Sequence, residues 1–173
     1  MKREKIRDIT FASLCVAILA VMSQLSIPVG AVPITLQVLA VSLIGYFLGV
    51  KKGALTVVIY ILLGTVGAPI FSGFQGGIGV ILGYTGGFII GFIPLVLLCG
   101  INVQKTWLKI LFGVFGLTLC HLIGSFQYML LSKLSFISAL VAVSLPYIIK
   151  DVILTVIGCF ISSTLKKRLA FKQ

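Results

Sequence analysis

The chain has 173 residues, 60% of them hydrophobic, with 14 Lys and Arg against three acids and a net charge of +11. A mean hydropathy of +1.25 excludes an ordinary water-soluble domain and points to an integral membrane protein. The basic residues sit in short clusters between apolar runs, with no basic face of interleaved aromatics. Membrane topology therefore explains the charge, and nucleic-acid binding does not.

Six apolar spans follow in chain order. The first covers residues 9–27, preceded by Lys2, Arg3, Lys5 and Arg7 and broken by the loop 28–33 between two prolines. Its start resembles a secretory leader, but no small-x-small cleavage site follows, so it is expected to stay as a span. Ser13, Ala17 and Ala20, at i, i+4 and i+7, make a small-residue face suited to close helix contact, within the bundle or with a partner. The second and third spans, 36–49 and 54–67, flank Lys51-Lys52-Gly53. Both are short against the roughly 20 residues that cross hydrocarbon, so they are expected to lean on neighbours or ordered loops.

Residues 71–91, FSGFQGGIGVILGYTGGFIIG, hold eight glycines in 21 positions. Each glycine in a helix interior costs roughly 1 kcal/mol relative to alanine, which argues against one plain helix. Irregular backbone at membrane depth persists only where protein or a watery cavity satisfies its amides. The stretch is therefore expected to form one wall of a small-molecule site before the fourth span, which ends near Asn102. The fifth and sixth spans cover 107–131 and 146–165, with an outer loop carrying a short helix expected over 132–145. The fold predicted is all-α, six transmembrane helices with ordered outer loops in one membrane domain, 1–173.

With the N-terminus in the cytoplasm, 12 of the 14 basic residues face inward. They are the first four, Lys51, Lys52, Lys105, Lys109, Lys166, Lys167, Arg168 and Lys172. Positive charge accumulates on the cytoplasmic side of membrane proteins, so both termini are predicted cytoplasmic. The segments 28–35, 68–85 and 132–150 then fall on the outer side, and a site built from them faces outside.

Asp151 is the only acid in the apolar part of the chain. A charged Asp at a helix centre costs about 2.5–3.5 kcal/mol, so it needs a partner or a cavity. Pro146 suits a first helical turn and places Asp151 near the outer end of its helix. Lys150 adjoins it, but neighbours on a helix point about 100° apart. The two are either a structural polar pair near the interface or a ligand-facing pair. Thr35 and Gln37 follow the outer break, with helix capping by Thr35 an equal alternative. Gln75 offers an amide that suits a neutral polar ligand. His121 and Gln127 can reach a polar interior, where His121 is expected to be buried and bonded to a neighbour rather than catalytic. Cys15, Cys99, Cys120 and Cys159 stand singly in apolar runs and read as small buried hydrophobes, not as a disulfide or a metal site.

No phosphate loop GxxxxGK[ST] occurs, so this chain is not expected to hydrolyse ATP. Paired carboxylates, a nucleophile triad and a metal cluster are also missing, so an enzyme is not expected. One buried acid makes a self-contained ion-coupled transporter a poor candidate, although one acid suffices for a proton.

Several stretches carry a family resemblance: PVGAVPITLQ at 28–37, GYFLG at 45–49 with Lys52-Gly53, YILLG at 60–64 and GAPIF at 67–71. Gly76-Gly77, GYTGGF at 83–88 and Leu145-Pro146-Tyr147 with Asp151 complete them. These resemble the BioY family, the biotin-binding S components of energy-coupling factor (ECF) transporters. The resemblance implies a bacterial cell-membrane protein with an outward biotin site capped by loops. It also implies docking on a transmembrane T subunit that carries paired ATPase subunits, with Ser13 and Ala17 as the partner-facing residues. The ligand residues implied are Thr35, Gln37, Gln75, Gly76, Gly77, Tyr84, Thr85, Gly86, Gly87, Phe88, Lys150 and Asp151. Thr35 and Gln75 would suit the neutral ureido head and Lys150 the carboxylate. No cofactor or metal is implied beyond biotin as the transported ligand. Members of the family often carry Arg where this chain has Ile89, and Lys where it has Leu154. Lys150 stands four residues before 154, on nearly the same helix face, and is expected to supply that charge. An S component for another vitamin and a structural membrane subunit without a ligand are the alternatives.

Overall fold

The computed structural model describes residues 2–30 and 32–169. Ala31 of the PVGAVPITLQ stretch and Lys172 lie outside the described residues, as do the side chains of Lys2, Arg3, Lys5 and Arg7. Helix α1 (Lys2–Gln24) opens the chain. It buries Cys15, Leu19 and Ser23 at i, i+4 and i+8, one stripe of a helix, while Leu14, Ile18 and Val21 stay exposed. The expected loop 28–33 is flanked by strands β1 (Ser26–Ile27), which takes the last two residues of the expected first span, and β2 (Ile34–Thr35); they pair antiparallel, Ser26 opposite Thr35 and Ile27 opposite Ile34. Two-residue strands are too short to leave an alternation pattern in sequence.

Helix α2 (Gln37–Thr65) contains one non-helical residue, Gly49, at φ 78° and ψ 179°. In a straight helix Gln37 and Tyr60 would lie about 35 Å apart. Instead Gln37 Nε2 donates to Tyr60 Oη at 3.0 Å. The element is therefore a hairpin of two helical arms, 37–48 and 50–65, close to the two short spans read from the sequence. The turn falls at Gly49, where positive φ favours glycine, a few residues before the expected break. The arms close tightly, since a Cβ on Gly53 would lie 3.4 Å from Gly45 Cα.

Tyr60 is fully buried, and its hydroxyl also donates to the Ile70 carbonyl at 2.8 Å. Tyr60→Phe leaves the Gln37 amide and that carbonyl without this partner. A loss of about 1–2 kcal/mol is expected, read as a lower melting temperature in detergent. An unchanged melting temperature would show that the hairpin closes without this bond.

The glycine-rich stretch is not one helix, as expected. A 3₁₀ turn (Ser72–Phe74), helix α3 (Ile78–Leu82) and helix α4 (Gly86–Cys99) divide it, with Gly77 at φ 95°. Helix α5 (Thr106–Ser132), the short helix α6 (Phe136–Val143) and α7 (Leu145–Leu169) complete the chain. Helix α6 falls where a short helix was expected, and its Ser135 cap accepts from the Ser138 amide at 3.2 Å.

The first arm of α2 is buried almost all round, with α1, α4 and α7 against the hairpin. The pair α4 and α5 makes the largest interface, and glycine makes it close. A methyl group at Gly87 would sit 2.7 Å from the Ile123 oxygen, and one at Gly91 2.8 Å from Cys120 Cα. Such small-residue contacts drive helix association in lipid, where burial of apolar surface between helices gains little. The outward surface is apolar in turn: Leu111, Phe115 and Phe126 on α5 and Ile149, Ile153 and Phe160 on α7 are exposed. A surface of that kind belongs in hydrocarbon. By length and composition α2, α5 and α7 are sufficient to cross a membrane, although α2 folds back on itself.

The two ends of the bundle differ. Gly100, after α4, packs on Gly49–Val50 at the hairpin turn, and Lys52 pairs there with Asp8 of α1 at 2.8 Å. At the other end α1 finishes, the β-hairpin sits, and α2 and α7 begin.

Candidate functional site

A cavity of about 540 Å³ opens at that second end, within the usual range for small-ligand sites. Its walls are largely apolar, with Val38, Val80, Ile89 and Phe92 among them. Two sets of polar groups converge on it.

The first set comes from α5, α7 and β2. Lys150 Nζ lies 2.6 Å from Asp151 Oδ1 and donates to the Thr35 carbonyl at 3.0 Å. Adjacent helix residues diverge by about 100°, but the long lysine stem bends back to the carboxylate. Asp151 is 4% exposed, and its other oxygen lies 3.3 Å from His121 Nε2. His121 Nδ1 meets Ser144 Oγ at 3.1 Å, and Ser144 meets Ser125 at 2.7 Å. A carboxylate only accepts, so Nε2 carries a proton, and in the neutral tautomer Nδ1 then accepts from Ser144. Tyr147 Oη donates to the Val32 carbonyl at 2.8 Å, tying α7 to the loop between the strands.

The second set is built from α1 and the glycine-rich segment. Gln24 Nε2 donates to the Phe71 carbonyl at 3.0 Å and its Oε1 accepts from the Phe74 amide at 2.8 Å. The end of α1 thereby clamps the 3₁₀ turn, which carries Ser72, Phe74 and Gln75 to the cavity. Phe74 is held at φ 57° and is 73% exposed.

Of the residues singled out in the sequence, Thr35, Gln37, Gln75, Thr85, Phe88, Lys150 and Asp151 line the cavity. Leu36 occupies the cap position of α2, but Thr35 Oγ1 still accepts from the Gln37 amide at 3.3 Å and donates to Gln37 Oε1 at 3.1 Å. Gly76, Gly77, Tyr84, Gly86 and Gly87 do not line it. Gly76 packs on the Ala68 carbonyl, Gly77 turns the chain at positive φ, and Gly86 and Gly87 pack on Ile81 and on α5. Tyr84 meets Tyr128, their ring centroids 5.3 Å apart. Ser13 and Ala17 lie on α1 away from the cavity, both exposed. Ile89 lines the cavity, while Leu154 packs against the core.

His121, Gln24 and Tyr147 also line the cavity. His121, the chain's lone histidine, in an apolar span, was the available signal; its buried, bonded state agrees with expectation, and its place on the cavity wall does not follow from sequence. Tyr147 stood in the Leu145-Pro146-Tyr147 motif without being singled out as a site residue, and Gln24 left no local signal. Gln127, singled out with His121 in that span, donates instead to the Ile81 and Gly83 carbonyls, both at 2.7 Å. Among the described residues no group of three or more His, Cys, Asp or Glu is placed to hold a metal, and all four cysteines are buried free thiols.

A profile of the BioY family matches residues 1–171. A protein of Pyrococcus horikoshii named as a probable biotin transporter BioY is 37% identical over 163 residues, covering 94% of this chain and 98% of its own. The biotin transporter BioY of Thermotoga maritima is 37% identical over 166 residues, covering 93% and 96%. A crystal structure of the S-component for biotin from an ECF-type ABC transporter shares the fold at a TM-score of 0.90. It is 24% identical, and the match covers 96% of this chain and 94% of that one.

Proposed function

This chain belongs to the BioY family, and on that premise we propose that it is the biotin-binding S component of an ECF-type uptake transporter. It is not an enzyme. It captures biotin and passes it inward with a T subunit and paired ATPases. The chain crosses the membrane six times, with α1, the two arms of α2, α4 with its preceding glycine-rich turns, α5 and α7 as the spans. The hairpin turn with Lys51 and Lys52 faces the cytoplasm, as do both termini, and the cavity faces outside. Ser13 and Ala17 on the exposed side of α1 meet the T subunit.

The observation that carries the reading is one cavity in which a lysine–aspartate pair and neutral amides converge among apolar walls. Biotin has a charged carboxylate at one end, a neutral ureido ring at the other and an apolar chain between them. Lys150 takes the carboxylate, in place of the cations that the family resemblance implies at the positions of Ile89 and Leu154. Gln75 serves the ureido head, and Asp151 holds Lys150 in place; Thr35, whose carbonyl accepts from Lys150 at 3.0 Å, stands at the carboxylate end rather than at the ureido head the sequence suggested.

The test is equilibrium binding of radiolabelled biotin to the purified chain in detergent, competed by thiamine and riboflavin. Biotin alone should compete fully. Lys150→Ala should raise the dissociation constant by about 10- to 150-fold, the worth of one charge-assisted hydrogen bond. Displacement by another vitamin would reassign the ligand, and absence of all vitamin binding would sink the transport reading. Unchanged affinity in Lys150→Ala would remove lysine from the carboxylate's contacts.

A further inference from the structure

We propose that His121 is a positioning residue for an anionic ligand, keeping Asp151 partnered when Lys150 turns to the ligand's carboxylate. The inference rests on the reading that this cavity binds biotin. The ionised groups on the cavity wall are Lys150 and Asp151, and they already neutralise one another at 2.6 Å. An arriving carboxylate competes with Asp151 for the same ammonium. Were Lys150 the sole partner of Asp151, recruiting it would leave a buried carboxylate, 4% exposed, without a donor, and an unpaired buried charge is strongly unfavourable.

His121 supplies the second donor. Its Nε2–H faces the far oxygen of Asp151 at 3.3 Å, so the carboxylate stays bonded on that side while Lys150 moves. The imidazole is held from behind. Ser144 Oγ lies 3.1 Å from Nδ1, Ser125 lies 2.7 Å from Ser144, and the Phe88 ring stands edge-on at a centroid distance of 5.8 Å. With Nδ1 accepting from Ser144, every donor in the series Ser125, Ser144, His121 points toward Asp151. Lys150 has a fallback of its own in the Thr35 carbonyl at 3.0 Å, so its ammonium can pivot without losing all contact with protein. The result is a pair that can open on one side while a fixed wall holds the other.

This arrangement makes a prediction that a merely structural histidine does not. Loss of His121 should penalise a ligand that recruits Lys150 and spare one that does not. The full-length protein in detergent is titrated with radiolabelled biotin, and with biotinamide, the neutral carboxamide, by competition. His121→Ala should weaken biotin by about tenfold or more, and biotinamide by less than about threefold. His121→Gln, which retains a side-chain N–H of similar reach, should recover most of the biotin affinity. Equal losses for the two ligands, no loss for either, or a glutamine variant as impaired as the alanine one would overturn the inference while leaving biotin binding in place. A wild-type chain that binds neither ligand overturns the biotin reading itself, and the inference with it.

Discussion

Asp151→Ala should be among the most damaging substitutions in this chain, costing about 3 kcal/mol of stability. The reason lies in what it leaves behind. The Asp151 carboxylate faces both Lys150 Nζ, at 2.6 Å, and His121 Nε2, at 3.3 Å. Without it, His121 keeps a donor with no acceptor, and the half-buried Lys150 charge is left with the Thr35 carbonyl. The cost lies at the lower end of the range for breaking a buried pair because Lys150 is 30% exposed and partly solvated. In a chain of this length, that corresponds to a melting temperature lower by about 6–12 °C. Asp151→Asn keeps the shape and one acceptor oxygen, so it should fall between the two. Thermal unfolding in detergent measures both. An alanine variant that melts within about 2 °C of wild type would show that the cluster contributes no net stability. The same variants should lose biotin, because Lys150 is no longer held at the cavity.

Gly86→Ala should be of similar severity for a different reason. Gly86 begins α4, and a methyl group there would run into the Ile81 carbonyl of α3. That carbonyl cannot move freely, since Gln127 Nε2 on α5 donates to it and to the Gly83 carbonyl, both at 2.7 Å. Overpacking plus a disturbed hydrogen bond is expected to cost about 3 kcal/mol. Gly79→Ala is the matched control. Gly79 lies in the same short helix, a Cβ there would meet nothing within 4 Å, and alanine is the better helix former. It should melt at or slightly above the wild-type temperature. If both variants behaved alike, close packing at the α3–α4 junction would not be the reason for glycine at 86.

That contrast bears on how the glycine-rich stretch is understood. Eight glycines suggested a backbone brought close to a ligand, yet among them Gly73 alone lines the cavity. Gly77 turns the chain and Gly87 and Gly91 let helices touch, while Gly79 does neither. The cavity-lining groups are the side chains between them, such as Gln75, Thr85 and Phe88. Composition identified an irregular segment, because glycine's cost in a helix is a local property. It did not separate glycines that serve a ligand from glycines that serve a neighbouring helix, because that depends on what lies across from each one.

The sequence by itself determined the membrane character, the long fifth and sixth helices, the short helix between them and the break in the middle of α2. Each follows from hydropathy, length or a local breaker, properties a segment carries alone. It also singled out Lys150 and Asp151, since a lone acid in an apolar chain requires compensation. The tertiary structure alone decided the compensation. A lysine stem bent back onto its neighbour, a histidine 30 residues earlier in the chain, and two serines behind that histidine form one connected series. It also decided that the two arms of α2 fold together through Gln37 and Tyr60, and that Gln24 clamps a turn 50 residues away. Hydrogen bonds between residues so far apart have no period and no neighbour effect in the sequence. They exist only because close helix packing brings those side chains to one end of the bundle.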